Sequence, residues 1–533
     1  MQFYLFIAAA VVIIACILLN KLSNKLGIPM LIGFILLGMV FGSDGLLKIP
    51  LSDYSFVEKV CSTALIFIMF YGGFGTKWSE GTPVAGRAIL LSTVGVVVTA
   101  ILVGLFCHFV MGLPLLEALL LGSILGCTDA ASVFSILRLR RLNLRENTAS
   151  LLEIESGSND PCAYMLTIIV LSLMKGSSDV GNILYMAFSQ IVYGGGCGII
   201  IAFLSGLLLK KYKFSTAGFA QVFVLAIAIL SYSIPQMIGG NGYLSAYIVG
   251  IYLGNIDIYG KRDLVSFFDG ITGLMQMVIF FLLGLLSFPS QMPTVLLPAL
   301  LVFVFITLVA RPITVFLLLT PLKTSIRQSA LVSWAGLRGA SSIVFAVFAY
   351  IGAPHLANDI FHIVFVVVLL SIPVQGSLIP FISKKLGLID NNIDVMRTFS
   401  DYSDELPIKY VQLVIPPGNH WVNKRVRDLM LPPDTILVVI KRDGGTIVPK
   451  GNTVVKEGDQ VVLSARAPVN FDEVSLTEKR LIKNDPWIDK SISKIDKPDN
   501  LLIIMIQRGR KLIIPSGDTV LKLNDVLVIN HIE

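Results

Sequence analysis

The stretch Glu153-Ile154-Glu155-Ser156-Gly157-Ser158-Asn159-Asp160-Pro161 places three carboxylates inside an otherwise apolar segment, residues 148–174. That segment is long enough to cross the hydrocarbon core of a membrane. A charged side chain within a membrane span costs several kcal/mol, so such a residue is by default a candidate for function. These nine residues are therefore predicted to lie in a membrane helix and to form part of its functional site.

Helical spacing brings the polar groups of this stretch onto one face. Positions 153, 156 and 160 differ by three and four, so Glu153, Ser156 and Asp160 share a face of a helix. Pro161 has no backbone donor and frees the carbonyl of Gly157 from its helical hydrogen bond. Several oxygen atoms then face one cavity within the membrane, which suits a hard cation.

The rest of the chain divides into an apolar part and a polar part. Of its 533 residues 55% are hydrophobic and only 14% are charged, whereas about a quarter are charged in a typical soluble protein. The apolar part, residues 1–386, is predicted to be an all-α, polytopic membrane domain. Thirteen segments are candidate spans: 3–20, 28–43, 59–75, 88–111, 114–137, 148–174, 182–209, 217–234, 240–256, 264–287, 293–320, 326–352 and 357–383.

The basic residues predict the orientation of these spans, because basic loops stay on the cytoplasmic side. With the N-terminus outside and the C-terminus in the cytoplasm, the outside loops hold only Lys48, Lys59 and Lys175. The inside loops hold Lys21, Lys25, Lys77, Arg87, Arg138, Arg140, Arg141, Arg145, Lys210, Lys211, Lys213, Lys261, Arg262, Lys323, Arg327, Lys384 and Lys385. The net charge of +7 thus indicates cytoplasmic loops of a cell-membrane protein, with no nucleic-acid partner.

A second polar cluster interrupts the fifth candidate span, where Gly122 and Gly126 precede Thr128-Asp129. Non-helical backbone at membrane depth is tolerated where it lines a cavity or packs against protein. A broken helix here would offer carbonyl oxygens and a hydroxyl to an ion. Arg311 and Arg338, deep in later spans, could neutralise part of the acid.

The same residues allow other interpretations. The carboxylates could be paired structural charges, and for Asp129 and Glu155 this choice stays open. A cation channel gated by the tail and a sodium-coupled solute symporter remain alternative functions, although no carbonyl-type filter repeat is visible. A membrane enzyme is disfavoured, because the five histidines are dispersed without metal spacing or a nucleophile triad.

The motifs Thr128-Asp129, Glu155-Ser156-x-x-Asn159-Asp160, Arg311-Pro312 and Gly336-Leu337-Arg338-Gly339 resemble those of the monovalent cation/proton antiporter superfamily, in particular its NhaP-like sodium–proton exchanger branch. The resemblance covers about residues 1–390. It implies a homodimer of thirteen-span chains with two crossed, broken helices, and electroneutral exchange of K+ or Na+ for H+.

The resemblance also implies roles for single residues. Asp160 would carry cation and proton in turn, with Thr128, Ser156 and Asp129 near the ion and Asn159 completing an Asn-Asp pair. Glu155 would form a structural ion pair with Arg311, and Arg338 would brace the broken helices. Where exchangers of this branch often carry an acidic residue in the third span, this chain has Phe70-Tyr71-Gly72-Gly73. That departure favours K+ over Na+.

The polar part of the chain contains an internal duplication. Residues 387–408 are predicted to be a linker, followed by two α+β repeats, 409–470 and 471–533. An ungapped offset of 66 aligns 421–463 with 487–529, so that Trp421, Arg442 and Asp459 recur as Trp487, Arg508 and Asp525.

Each repeat resembles the C-terminal domain of regulators of potassium conductance (RCK-C, also called TrkA-C). No cofactor is expected. The resemblance makes cyclic di-AMP a candidate regulator in a cleft between the repeats, and a module for pairing or stability without a ligand is the alternative.

Overall fold

The computed structural model describes residues 10–18, 30–46, 48–49, 53–76, 78–129, 132–133, 136–137, 142–176, 179–212, 218–256, 258, 260–353, 355–389, 408–432, 435–442, 445–466, 475–481, 485–495, 501–508, 511–513 and 515–531. The chain forms two compact units, Met1–Ser403 and Asp404–Glu533. The predicted linker 387–408, apart from its two ends, and the predicted boundary at 470 lie outside the described residues.

The main secondary-structure elements in the described part of the first unit are helices. Residues 10–18 are helical, and a short helix covers Trp78–Gly81. The main helices are α1 Met30–Phe41, α2 Tyr54–Gly75, α3 Ala85–Phe109, α4 Leu115–Ile124, α5 Thr148–Met174, α6 Val180–Lys211, α7 Phe219–Met237, α8 Gly242–Asn255, α9 Lys261–Leu286, α10 Met292–Phe305, α11 Arg311–Leu319, α12 Ile326–Trp334, α13 Ala340–Gly352 and α14 Ile360–Lys385. A π-helical turn, Ile306–Ala310, joins α10 to α11.

Seven helical segments among the described residues are long and apolar enough to cross a membrane. They are Tyr54–Gly75, Ala85–Phe109, Val180–Lys211, Phe219–Met237, Asp263–Leu286, Pro289–Leu322 and Ile360–Lys385. α1, α4 and α13 are apolar but shorter, and α5 carries the three carboxylates that lower its mean hydropathy. The chain is thus a multi-pass membrane protein, and the total of thirteen spans stays a prediction.

Two helices are interrupted, and the interruptions cross. α4 ends at Ile124, and the chain is non-helical from Cys127 to Asp129. α12 ends at Trp334, and the chain is non-helical until α13 begins at Ala340. The backbone N–H of Asp129 donates to the carbonyl of Leu337 at 2.7 Å, so the two unwound segments contact each other directly.

Gly122, which the sequence places near the break, has a different use. It lies inside α4, where a Cβ atom would come within 2.2 Å of the Ala100 carbonyl oxygen of α3. The residue allows two helices to pack closely. The helix ends two residues later, at Ile124.

α5 passes beside this crossing. It packs against α4, α8 and α13, and it stays helical through Pro161. The Pro161 carbonyl accepts a hydrogen bond from Asn241 Nδ2 at 2.8 Å, so a side chain from the loop before α8 pairs with the backbone close to the proline. Asn241 thereby connects the middle of α5 to the start of α8.

The second unit contains two four-stranded antiparallel sheets of identical topology. The first has the order β1-β4-β2-β3 and the second β5-β8-β6-β7. The strands are β1 Ile408–Val414, β2 Thr435–Arg442, β3 Gly445–Ile447, β4 Gln460–Arg466, β5 Ser475–Arg480, β6 Leu501–Arg508, β7 Lys511–Ile513 and β8 Val526–His531.

The two sheets repeat each other in detail. A register shift between Leu437 and Val439 in β2 recurs between Ile503 and Met505 in β6, 66 residues later. The 3-10 turn Val426–Asp428 recurs as Ile492–Lys494. The duplication predicted from sequence is therefore also a structural duplication.

Candidate cation-binding site

A buried hydrogen-bonded trio lies where α5 meets the first unwound segment. Asn159 Nδ2 donates to Thr128 Oγ1 at 2.6 Å, and Thr128 Oγ1 lies 2.7 Å from Ser156 Oγ. All three side chains are buried. Because the asparagine amide donates to the threonine, its carbonyl oxygen Oδ1 points elsewhere, and that buried atom has no hydrogen-bond donor among the described residues.

Asp160 is 5% exposed, and its two carboxylate oxygens differ in their hydrogen bonds to the described residues. Its Oδ2 accepts a hydrogen bond from Ser341 Oγ at 2.7 Å. Its Oδ1 is buried, with no donor in the part of the chain that the structure describes. Removing a charged or polar acceptor from water without a partner is costly. Two such acceptors, from adjacent residues 159 and 160, fit the oxygen ligands of a bound cation or, for Asp160, a proton.

Asp129, predicted to lie near the ion, has contacts of its own. Its carboxylate accepts from the backbone N–H of Ser132 at 3.3 Å and from the Ser132 hydroxyl. This is the pattern of a helix N-cap, in which a side-chain oxygen satisfies a free N–H in the first turn. The carboxylate also lies against Gly339. In the described structure, Asp129 therefore stabilises the place where the two unwound segments contact each other.

The basic residues have two separate environments. Arg311 Nη2 donates to Glu155 Oε1 in an ion pair whose side chains are 3% and 0% exposed. Arg338, which the resemblance implies would brace the broken helices, donates through Nη1 to the Cys127 carbonyl oxygen. It thus links the second unwound segment to the first.

Sequence reasoning missed Ser341. The residue is 181 positions from Asp160, and no helical spacing connects them. A signal was present, since Ser341 and Ser342 follow Gly336-Leu337-Arg338-Gly339 directly and two adjacent serines begin an apolar helix. Ser342 Oγ lies 3.2 Å from Cys127 Sγ, so both serines of this turn contact the site region.

Comparison with known proteins identifies the family of this fold. The family model described as sodium/hydrogen exchanger, transmembrane, matches residues 9–385. The chain belongs to the sodium/hydrogen exchanger family. The family consists of transporters rather than enzymes, which agrees with a buried candidate site where the two unwound segments meet. In the tail of this exchanger, residues 410–468 and 476–529 each match the TrkA-C domain model.

Relatives of this exchanger cover most of its length. A K(+)/H(+) antiporter NhaP from Alkalimonas amylolytica is 32% identical over 457 residues, 85% of this chain and 79% of that protein. A K(+)/H(+) antiporter NhaP2 from Shewanella sp. strain ANA-3 is 33% identical over 463 residues, 85% of this chain and 80% of that protein. The solved sodium proton antiporter MjNhaP1 from Methanocaldococcus jannaschii has a TM-score of 0.62 at 26% identity, covering 72% of this chain and 99% of its own.

A cavity of about 420 Å3 lies along α5 beyond the site. Tyr164, one helical turn after Asp160, and Lys175, at the end of α5, both line it, together with Glu58 and Gln236. Gln236 Nε2 donates to the Tyr164 hydroxyl at 3.3 Å. The exchanger therefore has a cavity that extends from the end of α5 to within one turn of Asp160.

Proposed function

We propose that this exchanger moves a monovalent cation, K+ in preference to Na+, against H+ by alternating access in the cell membrane. Asp160 holds the cation or the proton, and the two compete for the same carboxylate. The observation that carries the proposal is a pair of buried oxygens, Asp160 Oδ1 and Asn159 Oδ1, which have no hydrogen-bond donor among the described residues. Thr128 and Ser156 supply further oxygen ligands, and Asp129 orders the adjoining backbone.

The charge arrangement supports one-for-one exchange. Glu155 is neutralised by Arg311, and Asp129 accepts hydrogen bonds from Ser132. Asp160 is then a carboxylate that can bind either a cation or a proton. One carboxylate balances one positive charge. If the empty, charged form crosses the low-dielectric barrier poorly, only loaded forms reorient, and exchange is obligatory.

Three further features belong to the proposal. The chain acts as a homodimer with its N-terminus outside and its C-terminus in the cytoplasm. The cavity beside Tyr164 serves as a route between Asp160 and the outer side, since Lys175 lies in a predicted outside loop. The preference for K+ is supported by the relatives of high coverage, which are named K(+)/H(+) antiporters, and by the absence of an acid at Phe70–Gly73.

Substitution of Asp160 by Asn tests this function. Asp160→Asn keeps the shape but replaces one acceptor oxygen by an NH2 group and cannot carry a proton reversibly, so cation-dependent proton movement in everted vesicles is expected to vanish. Asp179→Asn is the matched control, because Asp179 is an exposed residue that caps the start of α6 by accepting from the Gly181 N–H at 3.1 Å, and asparagine caps a helix equally well. It is expected to leave exchange intact.

The amounts of both variants in the membrane are measured alongside the activity. Separate titrations with K+ and Na+ give the preference. Substantial exchange by Asp160→Asn at normal membrane levels would reject Asp160 as the carrier, and a lower KM for Na+ than for K+ would reject the preference.

We further propose that the tail regulates exchange, with cyclic di-AMP as the candidate ligand. Two TrkA-C matches in one chain support a regulatory module. Binding of radiolabelled cyclic di-AMP to the full-length protein tests the ligand, with cyclic di-GMP as the competitor that should fail to displace it. Absence of saturable binding would reject this nucleotide.

A contact within the first unit supports a route for that regulation. After α14 ends, Leu388 and Ile389 lead towards the tail and pair with the loop before α5. The Arg145 N–H donates to the Leu388 carbonyl at 2.8 Å, and Leu144 forms an antiparallel bridge with Ile389. We call residues 386–389 the exit strap. It is attached to the loop that precedes α5, the helix bearing Asp160.

A further inference from the structure

Ser341 stands at the start of the second half of a broken helix and contacts the carrier candidate. α13 begins at Ala340, immediately after the extended segment that ends at Gly339. The Ser341 side chain is 9% exposed, and its hydroxyl donates to Asp160 Oδ2 at 2.7 Å. A hydrogen bond of this length from a hydroxyl to a carboxylate is of the strong, charge-assisted kind.

The direction of this hydroxyl is unusual for its place in a helix. Serine in the first turn commonly bonds to nearby backbone groups of its own segment. Ser341 instead bonds to a residue on another helix, α5, across a buried interface. Ser333, in the first half of the broken helix, follows the ordinary pattern, since its Oγ donates to the Ser329 carbonyl of α12 at 2.7 Å.

This hydrogen bond makes the two carboxylate oxygens of Asp160 different from each other. Oδ2 is fixed by Ser341, whereas Oδ1 is the buried oxygen with no described donor. A carboxylate with one oxygen fixed loses most of its rotational freedom. Its second oxygen is then presented in one orientation, and a ligand that binds there has less ordering entropy to overcome.

We propose that Ser341 is a positioning residue for the transported cation: it orients the Asp160 carboxylate so that Oδ1 can coordinate K+ or Na+. This inference rests on the proposed function of Asp160 as the carrier. It adds α13 to the elements that build the site, beside α5 and the first unwound segment. The cation affinity thus depends on the relative position of two helices, which a rearrangement during transport would change.

Ser341→Ala in the full-length protein, reconstituted into proteoliposomes, tests the role. A hydrogen bond to a charged group contributes about 1.5–3 kcal/mol, and a tenfold change corresponds to about 1.4 kcal/mol. We therefore expect the KM for K+ at fixed pH to rise about tenfold or more, with kcat changed less than about twofold. Ser341→Thr keeps the hydroxyl and is expected to bring KM back to within about threefold of the wild-type value.

Two controls separate positioning from general damage. Ser333→Ala removes a buried serine hydroxyl from the same broken helix, and its KM for K+ is expected to match the wild type. A structural role for Ser341 would instead lower kcat and the amount of folded protein together, with KM unchanged, and that result would overturn the inference. So would a KM for Ser341→Thr as high as that for Ser341→Ala.

Asp160→Asn, assayed in the same vesicles, distinguishes this inference from the function on which it rests. If Asp160→Asn still exchanges, the carrier assignment fails. If Asp160→Asn is inactive while Ser341→Ala has the wild-type KM, the carrier assignment stands and only the role of Ser341 fails.

Discussion

At the scale of single residues, the best-defined charge contact in the tail is the pair of Arg442 and Asp459. Arg442 donates to both Asp459 oxygens at 2.7 Å, and the Lys456 N–H donates to one of them. The Asp459 side chain is 0% exposed. The hydrogen bonds from Arg442, followed by that from the Lys456 backbone, hold the pKa of Asp459 below its ordinary value despite burial.

Asp459→Asn is therefore expected to destabilise the first repeat by about 2–3 kcal/mol, because a half-buried guanidinium loses its carboxylate partner. A lowered carboxyl pKa stabilises the fold above the unfolded pKa, about 3.9, and this contribution is lost as the pH falls through the folded value. The difference between wild type and variant should thus be full at pH 7 and shrink below about pH 4. Hydrogen exchange of β2 and β4 in the full-length protein measures it.

Asp428→Asn is the matched control for this prediction. Asp428 lies 3.7 Å from Arg427, and both side chains are more than half exposed, so the substitution should change the stability by less than about 0.5 kcal/mol. An Asp459→Asn variant with wild-type protection at pH 7 would show that the pair contributes nothing.

At the scale of elements, the crossing of the two unwound segments depends on a residue without a side chain. A Cβ atom on Gly339 would lie 2.3 Å from Asp129 Oδ2 and 2.5 Å from its Cβ and Cγ. The backbone at Gly339 is extended, with φ −134°, so the restriction is one of space. Asp129 is short and held by Ser132, and it has little room to move away.

Gly339→Ala is expected to separate the segments and to lower exchange about tenfold or more, the effect of displacing site groups by about 1 Å. Gly195→Ala in α6 serves as the control, since nothing lies within 4 Å of the added Cβ and alanine favours a helix. The measurement is the proton-coupled flux per amount of protein in proteoliposomes. Equal flux for the two variants would mean that close approach at Gly339 is unnecessary.

The elements also show what the sequence could and could not predict. Ser156, Asn159 and Asp160 could be assigned to one site because helical spacing within α5 fixes their relative positions. The break before Thr128 was indicated by glycine, although Gly122 proved to serve helix packing. Ser341 could not be found this way, because its contact with Asp160 depends on how two distant helices pack, which no local periodicity encodes.

At the scale of the whole molecule, the described contacts connect the exit strap to the ion-binding half of the membrane unit. Leu388 is 1% exposed and belongs to the same apolar cluster as Leu144, Ile136 and Leu331. Leu144 precedes α5 and Leu331 lies in α12. A change in the tail that displaces the strap would therefore act on the segments flanking the site, without any ligand reaching the membrane interior.

Leu388→Ala tests this coupling, because truncation of a buried leucine costs about 2–5 kcal/mol locally and loosens the strap. If the tail acts through the strap, Asp459→Asn changes exchange by about twofold or more in the wild-type background but has no further effect in Leu388→Ala.

Leu378→Ala, an exposed position in α14, provides the control background in which the effect of Asp459→Asn should persist. Flux from the six combinations, the three backgrounds each with and without Asp459→Asn, is compared at pH 7, where the Arg442–Asp459 pair is intact in the parent protein. Effects of Leu388→Ala and Asp459→Asn that simply multiply would show that the tail influences transport by another route.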